Sequence, residues 1–181
     1  MKVTWKDLKG WFDFPSIYDR AIETAPRGAT LVEVGVAYGR SINYMATQSK
    51  LADKALKIVG VDLFMGSVKE KPGTYAKDMF DQFVHGVHAC GNNDVIRTLL
   101  GDSAESAKNF KDKSCHLVFI DASHTYDEVK RDLIAWLPKV SRGGIFAGHD
   151  IDAEGVRKAV NEVLGKEGVD WVIEGRSWVM S

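Results

Sequence analysis

Charged or polar side chains follow five short apolar runs of this sequence, one after each run. They are Glu33, Asp62, Asp102, Asp121 and the pair His149–Asp150. In an open parallel sheet, ligands bind beyond the carboxyl ends of the strands, so side chains at those ends gather along one edge. One charged residue after a strand carries little information, because every strand must end somewhere. Five in succession predict a ligand-binding site.

A glycine-bearing turn, residues 33–41, follows the first apolar run. Gly35 and Gly39 let the backbone approach a ligand where a Cβ would collide. The start of the next helix offers free N–H groups to a carboxylate. The turn departs from the dinucleotide fingerprint GxGxxG, because Ala37 and Arg40 replace its second and third glycines, and this argues against NAD. A tight strand-to-helix turn without a ligand is the alternative.

Two of the strand-end acids suit a nucleoside. Asp62 follows Val-Gly-Val and suits a bidentate contact to two ribose hydroxyls, since a carboxylate accepts hydrogen bonds from both. Asp102 would accept from an adenine amino group, and the backbone N–H of Ser103 would donate to a ring nitrogen. A turn or helix-cap role is the alternative for Asp62, and capping of the helix that begins nearby is the alternative for Asp102 and Ser103.

The elements that must position these residues alternate along the chain. Short apolar runs alternate with segments of helical period, which is typical of βαβ units around a parallel sheet. We predict strands at residues 31–34, 58–61, 95–100, 117–120, 145–147, 171–173 and 178–180. The last two are close enough to form an antiparallel hairpin. The sequence predicts a three-layer, doubly wound α/β fold with a mostly parallel seven-stranded sheet.

Composition and length exclude several classes of protein. The 181 residues predict one domain, with residues 1–27 as an N-terminal helical cap. A net charge of -1 without blocks of like charge argues against nucleic-acid and membrane-surface partners. Cys90 and Cys115 lack metal-ligand spacing and are interpreted as packing residues. The charged N-terminus has no apolar signal segment and no run spans a bilayer, so we expect a cytoplasmic protein.

Four short motifs occur in order and together resemble those of the class I S-adenosylmethionine-dependent methyltransferases. Residues 33–39 are similar to the first motif, Val61-Asp62-Leu63 to the second, Gly101-Asp102-Ser103 to the third and Phe119-Ile120-Asp121 to the fourth. The resemblance covers about residues 28–181. It implies a Rossmann-like methyltransferase fold, S-adenosylmethionine as cofactor and methyl transfer as the reaction.

The resemblance also implies where the cofactor would lie. The backbone around Gly35 would face its methionine part, Asp62 would hold the ribose, and Asp102 would lie beside the adenine. The residues expected to contact the cofactor are Glu33, Gly35, Val36, Tyr38, Gly39, Ser41, Asp62, Leu63, Asp102, Ser103 and Asp121.

A second resemblance concerns the reaction itself. The segment 121–126 and the later pair His149–Asp150 are similar to the macrocin-type sugar O-methyltransferases and their cephalosporin-hydroxylase-like relatives. By position, Asp121, His149 and Asp150 would bind a divalent metal such as Mg²⁺ or Mn²⁺. His124 would be the general base, and Asp121 is the second residue expected to be catalytic. A histidine pKa near 6.5 suits proton acceptance near neutrality.

One position departs from these relatives, which commonly have an acidic residue where His149 stands. An imidazole nitrogen is better accepted by Mn²⁺, Fe²⁺ or Zn²⁺ than by Mg²⁺. A site without metal is therefore an open alternative, and His124 could serve only to anchor its loop. The long polar segment at residues 64–75 is interpreted either as a lid or as disordered.

The sequence predicts O-methylation of a small hydroxylated acceptor, such as a sugar or a phenol. Two alternatives stay open: a metal-dependent hydroxylase-like enzyme on the same scaffold, and a non-catalytic S-adenosylmethionine-binding module. Four of the aromatic residues that precede the first strand would pack in the core, cap the sheet or cover the site; if exposed, they would suit a homodimer. They are Trp5, Trp11, Phe12 and Phe14.

Overall fold

The computed structural model describes residues 3–65 and 76–180. The strands in these ranges are Thr30–Val34 (β1), Lys57–Asp62 (β2), Ile96–Leu100 (β3), Cys115–Ile120 (β4), Val140–Gly148 (β5), Trp171–Glu174 (β6) and Ser177–Met180 (β7). The α-helices are Pro15–Thr24 (α1), Arg40–Leu51 (α2), Ala76–Ala89 (α3), Ser103–Ser106 (α4), Tyr126–Trp136 (α5) and Glu154–Lys166 (α6). None of these helices has the length and apolar character needed to cross a membrane.

The strands form a seven-stranded sheet in the order β3-β2-β1-β4-β5-β7-β6. Strands β1 to β5 run parallel, whereas β7 pairs antiparallel with both β5 and β6. The predicted doubly wound fold with a C-terminal hairpin is therefore confirmed. The strand order reverses between β1 and β4, and a reversal of this kind opens a crevice beyond the carboxyl ends of the two strands.

Helices cover both faces of the sheet because successive residues of a strand point to opposite sides. Leu31 packs with α1, α2 and α3 on one face, and its neighbour Val32 packs with α5 and α6 on the other. The central strand β4 is buried along its whole length. Such continuous apolar strands are typical of parallel sheets that are covered on both faces.

Strand β5 is longer than predicted. The sequence indicates a turn at Gly143-Gly144, whereas the structure extends the strand back to Val140. The register explains this difference: Cys115 pairs with Val140 but Leu117 pairs with Ile145, so β5 contains a bulge opposite β4. Gly143 has a φ of +74°, a conformation that glycine adopts readily in bulges.

The N-terminal residues pack through an aromatic cluster onto α2 and β4. Phe12 lies against Tyr44 of α2, with ring centroids 4.8 Å apart, and Phe14 stacks on Phe119 of β4 at 4.3 Å. Trp11 points away from the cluster and is 87% exposed. The helix expected before residue 31 is present as α1.

Most of the segment interpreted as a lid, residues 64–75, lies outside the described residues. Its first residue, Phe64, is buried and packs against Phe80 and Phe83 of α3, with both pairs of ring centroids 5.0 Å apart. This contact fixes the chain just beyond β2.

Candidate active site

The turn between β1 and α2 is held by Asp62 at the end of β2. One carboxylate oxygen, Oδ2, accepts hydrogen bonds from the backbone N–H groups of Val36 and Ala37, both at 2.8 Å. The other, Oδ1, accepts from the N–H of Phe64 at 2.7 Å. Asp62 therefore shapes the turn itself, and a ribose would have to use the remaining acceptor capacity of the two oxygens. Its ribose contact stays a prediction.

Both predicted turn glycines adopt left-handed backbone conformations. Gly35 has a φ of +89° and lies against the backbone of Asp121 at the end of β4. Gly39 has a φ of +84°, is the N-cap residue of α2 and lies against the ring of Phe83. Between them, the ring of Tyr38 is half-buried and the ammonium of Lys9 lies 5.5 Å from its centroid. The turn thus brings backbone close to the carboxyl end of β4.

Glu33 and Ser41 lie beneath the turn. Glu33 is fully buried and accepts a hydrogen bond from the Ser41 hydroxyl at 2.5 Å. Burial raises the pKa of Glu33 to about 8, although the hydrogen bond from Ser41 opposes the shift. Glu33 therefore carries its proton at neutral pH. A contact between either side chain and a cofactor stays a prediction, since the structure places both inside the protein.

Asp102 caps helix α4. Its Oδ1 accepts from the backbone N–H of Glu105 at 3.0 Å, and its Oδ2 pairs with Arg131 at 2.6 Å. Although partial burial acts against it, these contacts keep the pKa of Asp102 below its ordinary value. Ser103 accepts a hydrogen bond from the indole N–H of Trp136 at 3.1 Å. The geometry shows the capping role of Asp102, and its adenine contact stays a prediction.

Asp121, His149 and Asp150 converge at the ends of β4 and β5. The Nδ1 atom of His149 lies 3.3 Å from Asp150 Oδ1 and 3.8 Å from Asp121 Oδ1. The strands position them, because the N–H of His149 donates to the carbonyl of Ile120 and so aligns the two strand ends. One nitrogen and two carboxylate oxygens, all within 4.8 Å of one another, form a set that could hold a metal ion.

The residues present fit a divalent transition metal. Two ligands bound at about 2.1 Å and at right angles lie about 3 Å apart, close to the distances around His149 Nδ1. A cavity of about 10 Å³ borders all three side chains, roughly the space of one water molecule. Asp150 Oδ1 also accepts from Arg176 at 2.6 Å, so a metal at this oxygen would share it with the guanidinium or displace it.

The acids of this cluster titrate differently. Burial raises the pKa of Asp121 to about 6, and the nearby charge of Asp150 adds to the shift. Contacts with the imidazoles of His124 and His149 hold the pKa of Asp150 well below its usual range. Partial burial acts against the charged form of His149, but its neighbours Asp150 and Asp121 raise the pKa above the ordinary value. The two acids are thus shifted in opposite directions, Asp121 by burial and Asp150 by its imidazole partners.

His124 lies beside this cluster. Its Nε2 is 2.8 Å from Asp150 Oδ2, and its side chain is 43% exposed. Ser123 and Thr125 on either side both donate to the carboxylate of Glu128, at 2.5 and 2.7 Å, which fixes the loop to the start of α5. The structure thus brings His124, Asp121, His149 and Asp150 together, as predicted from their positions after β4 and β5.

Helix α6 packs directly on the His124 loop. A Cβ on Gly155 would lie 2.3 Å from the carbonyl oxygen of His124 and 2.8 Å from the N–H nitrogen of Tyr126. We expect Gly155→Ala to lower the free energy of unfolding by about 2–3 kcal/mol, because the helix and the loop must separate. The measurement is urea unfolding followed by circular dichroism.

Gly165, near the end of the same helix, gives the matched control. A Cβ there would meet no atom of the described residues within 4 Å, so Gly165→Ala should raise stability by about 0.5–1 kcal/mol through helix propensity. Opposite signs for the two substitutions are the expected result. Equal effects would mean that α6 does not constrain the loop.

Two residues of the site had no signal in the sequence. Asp13, in the N-terminal segment, lies 2.9 Å from His149 Nε2 through its Oδ1. Arg176, in the turn between β6 and β7, reaches Asp150 and the exposed Asp152. Both residues come from segments without a motif. The sequence predicts the hairpin that contains Arg176, but it does not predict that this side chain contacts the site.

Solved structures of methyltransferases share this fold. The O-methyltransferase NovP superposes with a TM-score of 0.74 and 17% sequence identity, covering 92% of this chain and 78% of that one. The S-adenosylhomocysteine-bound methyltransferase PaMTH1 of Podospora anserina superposes with a TM-score of 0.71 and 13% identity, covering 91% and 75%. At these identities the similarity concerns the fold.

Sequence comparison gives the family. An uncharacterized protein, y4gI, of Sinorhizobium fredii (strain NBRC 101917 / NGR234) is 29% identical over 130 residues. The match spans 71% of this chain but only 14% of that protein. Residues 32–151 match the family described as "Methyltransferase domain", and they contain both the glycine turn and the Asp121–Asp150 cluster. Because this match covers more than half of the chain, the protein belongs to that family of methyltransferase domains.

Proposed function

We propose that this protein transfers a methyl group from S-adenosylmethionine to a hydroxyl group of a small molecule, with His124 as the general base. One observation carries the proposal: an exposed imidazole, hydrogen-bonded to Asp150, lies on the same sheet edge as the glycine turn. Methyl transfer to a hydroxyl requires a positioned nucleophile and a group that removes its proton.

The cofactor would lie along the sheet edge from the β1 turn to the start of α4. When bound, S-adenosylmethionine supplies a methyl group activated by the positive sulfonium. The backbone around Gly35 and the start of α2 would receive its methionine part, and Asp62 and Asp102 would hold the nucleoside. A structurally similar methyltransferase with S-adenosylhomocysteine bound supports this choice of cofactor. Half-exposed Leu63, next to Asp62, would give the adenine an apolar contact.

Asp150 prepares His124 for its role as base. The carboxylate lies 2.8 Å from Nε2, which fixes the orientation of the ring and stabilises the imidazolium that forms after proton transfer. Asp150 has a φ of +55°, an unusual conformation for a residue with a side chain. Such conformations are often kept where function requires them. Its Oδ2 atom contacts His124, and its Oδ1 atom contacts His149 of the candidate metal site.

Asp121, His149 and Asp150 would hold a divalent metal, which would orient the acceptor hydroxyl and lower its pKa. One imidazole and two carboxylates favour Mn²⁺, Fe²⁺ or Zn²⁺ over Mg²⁺. The set differs from the two-histidine, one-carboxylate arrangement of non-haem iron oxygenases. This difference favours methyl transfer over a hydroxylase-like reaction. The acceptor would be a small sugar or phenol, and we expect neither a nucleic-acid nor a membrane partner. The protein would act in the cytoplasm.

The test measures transfer of tritiated methyl from S-adenosylmethionine to a panel of phenols and sugars that includes catechol and methyl rhamnoside. We expect His124→Ala to lower the rate at least about 100-fold, the usual contribution of a general base. Binding of S-adenosylhomocysteine, measured by calorimetry, should stay within about twofold, because His124 does not contribute to the predicted cofactor contacts.

His88→Ala is the matched control, since His88 is an exposed histidine at the end of α3. That helix end leads into the start of the parallel strand β3, whereas the site lies at the carboxyl ends of the strands. It should leave both measurements unchanged. Unaltered methyl transfer in His124→Ala would exclude the base role. Tight cofactor binding without transfer to any acceptor in the panel would favour a binding module instead.

A further inference from the structure

Residues 10–14 cross the edge of the sheet without regular secondary structure, and we call them the N-terminal strap. At one end, the carbonyl of Gly10 accepts a hydrogen bond from Arg40, the first residue of α2, at 3.0 Å. At the other end, Phe14 stacks on Phe119 of β4 and lies 5.0 Å from the ring of His149. The strap therefore connects the start of the helix after the glycine turn with the end of β5.

Asp13 is the residue of the strap that reaches the candidate metal site. Its Oδ1 lies 2.9 Å from Nε2 of His149, whose side chain is only 6% exposed. The other nitrogen, Nδ1, faces Asp150 and Asp121. Each ring nitrogen of His149 thus has a carboxylate partner: Asp13 outside the metal site, and the two candidate ligands inside it.

The chemistry of imidazole makes these two sides unequal. A neutral histidine has one N–H donor and one nitrogen lone pair, and the hydrogen bond at one nitrogen decides which is which. A carboxylate at Nε2 holds the proton there, so that Nδ1 can give its lone pair to a cation. Metal-binding histidines commonly have such a carboxylate behind them, and its loss weakens metal binding by about 10- to 100-fold.

We propose that Asp13 is a positioning residue for metal binding: it holds the Nε2–H of His149 and thereby directs Nδ1 toward a divalent cation shared with Asp121 and Asp150. The inference rests on the metal site of the proposed function and adds a role for the N-terminal strap. It makes the strap part of the active site, although Asp13 is 136 residues from its partner in the chain.

A merely structural role would have a different signature. If the pair of Asp13 and His149 only tethered the strap, its loss would lower the melting temperature and leave the affinity for metal unchanged. A general effect of negative charge would also give a different result, because any nearby carboxylate would then contribute equally to the affinity for metal. Glu154, an exposed acid at the start of α6, provides that comparison.

The experiment measures Mn²⁺ binding by the full chain, using the electron paramagnetic resonance signal of free Mn²⁺. We expect Asp13→Ala to raise the Kd about 10- to 100-fold. Asp13→Asn keeps an acceptor oxygen at the same place and should restore much of the affinity. Glu154→Gln should stay within about twofold of the wild type. Melting temperatures of the metal-free variants show which of them are folded.

A second readout does not depend on metal. At about pH 9, where an imidazole is neutral, ¹⁵N chemical shifts should show His149 with its proton on Nε2 in the wild type, and a mixture of tautomers in Asp13→Ala. A proton on Nδ1 in the wild type would overturn the proposal, as would equal Mn²⁺ affinities of the wild type and Asp13→Ala, or equal losses in Asp13→Ala and Glu154→Gln.

The outcomes separate this inference from the proposed function. If Asp13→Ala binds Mn²⁺ as tightly as the wild type does, the role of Asp13 is contradicted but the metal site is not. If the wild type binds no Mn²⁺, and Asp121→Asn changes nothing, both the metal site and the inference fall. Methyl transfer and S-adenosylhomocysteine binding, measured separately, would still test the methyltransferase activity in that case.

Discussion

Replacing Gly35 with alanine is expected to remove more than about 4 kcal/mol of stability, a large part of the roughly 5–15 kcal/mol that a folded domain has. A Cβ at this position would lie 2.0 Å from the carbonyl oxygen of Asp121, 2.5 Å from its carbonyl carbon and 2.8 Å from the Cα of Ala122. These are backbone atoms that cannot rotate away. The φ of +89° adds strain of its own.

The matched control is Gly28→Ala. Gly28 also has a positive φ, +77°, but within the part of the chain that the structure describes a Cβ there would meet no atom within 4 Å. Its substitution should therefore cost only the left-handed conformation, about 1–2 kcal/mol. Urea unfolding of the two variants gives the comparison. Similar midpoints would show that the turn and the end of β4 are not in the close contact on which the site depends.

The second large effect concerns pH and Glu33. Its pKa is about 8 in the folded protein, against an ordinary value of 4.5. Between these values the folded protein keeps a proton that the unfolded chain has lost, so stability falls as pH rises. A difference of this size corresponds to about 5 kcal/mol lost between pH 4.5 and 8, after which the effect levels off.

Glu33→Gln should remove this dependence, because glutamine imitates the protonated acid and still accepts from Ser41. We expect the two proteins to be similar in stability at low pH, near the pKa of the unfolded side chain, and the variant to be more stable by about 5 kcal/mol above pH 8. The measurement is urea unfolding across this range.

The difference between the two profiles isolates Glu33, since both proteins keep the other buried acids. Asp121 and Asp132, whose pKa values burial raises to about 6, contribute equally to both. Parallel profiles for wild type and Glu33→Gln would mean that Glu33 is not a buried, protonated acid.

The fold could be predicted because its signals are local. Each apolar run is long enough for one strand, and the alternation with helical segments allows few topologies besides a doubly wound sheet. The bulge in β5 was missed for the opposite reason: Gly143-Gly144 has the composition of a turn, and only pairing with β4 shows that the strand continues.

The convergence of His124 with the acids of the site was predictable from the strand ends alone. Adjacent parallel strands place residues such as Asp121 and His149 together whenever they end in register. The inward orientation of Glu33 is harder to predict from the sequence. It precedes the last residue of β1, so the alternation of the strand turns its side chain into the face covered by α1 and α2, beneath the glycine turn.

Contacts between distant segments could not be predicted. Asp13 reaches His149 from the N-terminal strap, whose path is set by aromatic packing, and no periodicity or spacing reveals such a path. Asp62 illustrates a subtler case. The sequence leaves a ribose contact and a turn role open for its carboxylate. The structure shows the turn role, through the N–H groups of Val36 and Ala37, and the ribose contact stays a prediction.

A crystal structure with S-adenosylhomocysteine would test the proposed cofactor site most directly. The nucleoside should lie along the strand ends from Gly35 to Asp102, its ribose at Asp62 and its sulfur directed toward His124 and Asp121. A ligand bound on another face of the sheet, or crystals soaked to saturation in which this edge binds nothing, would contradict the assignment of the site.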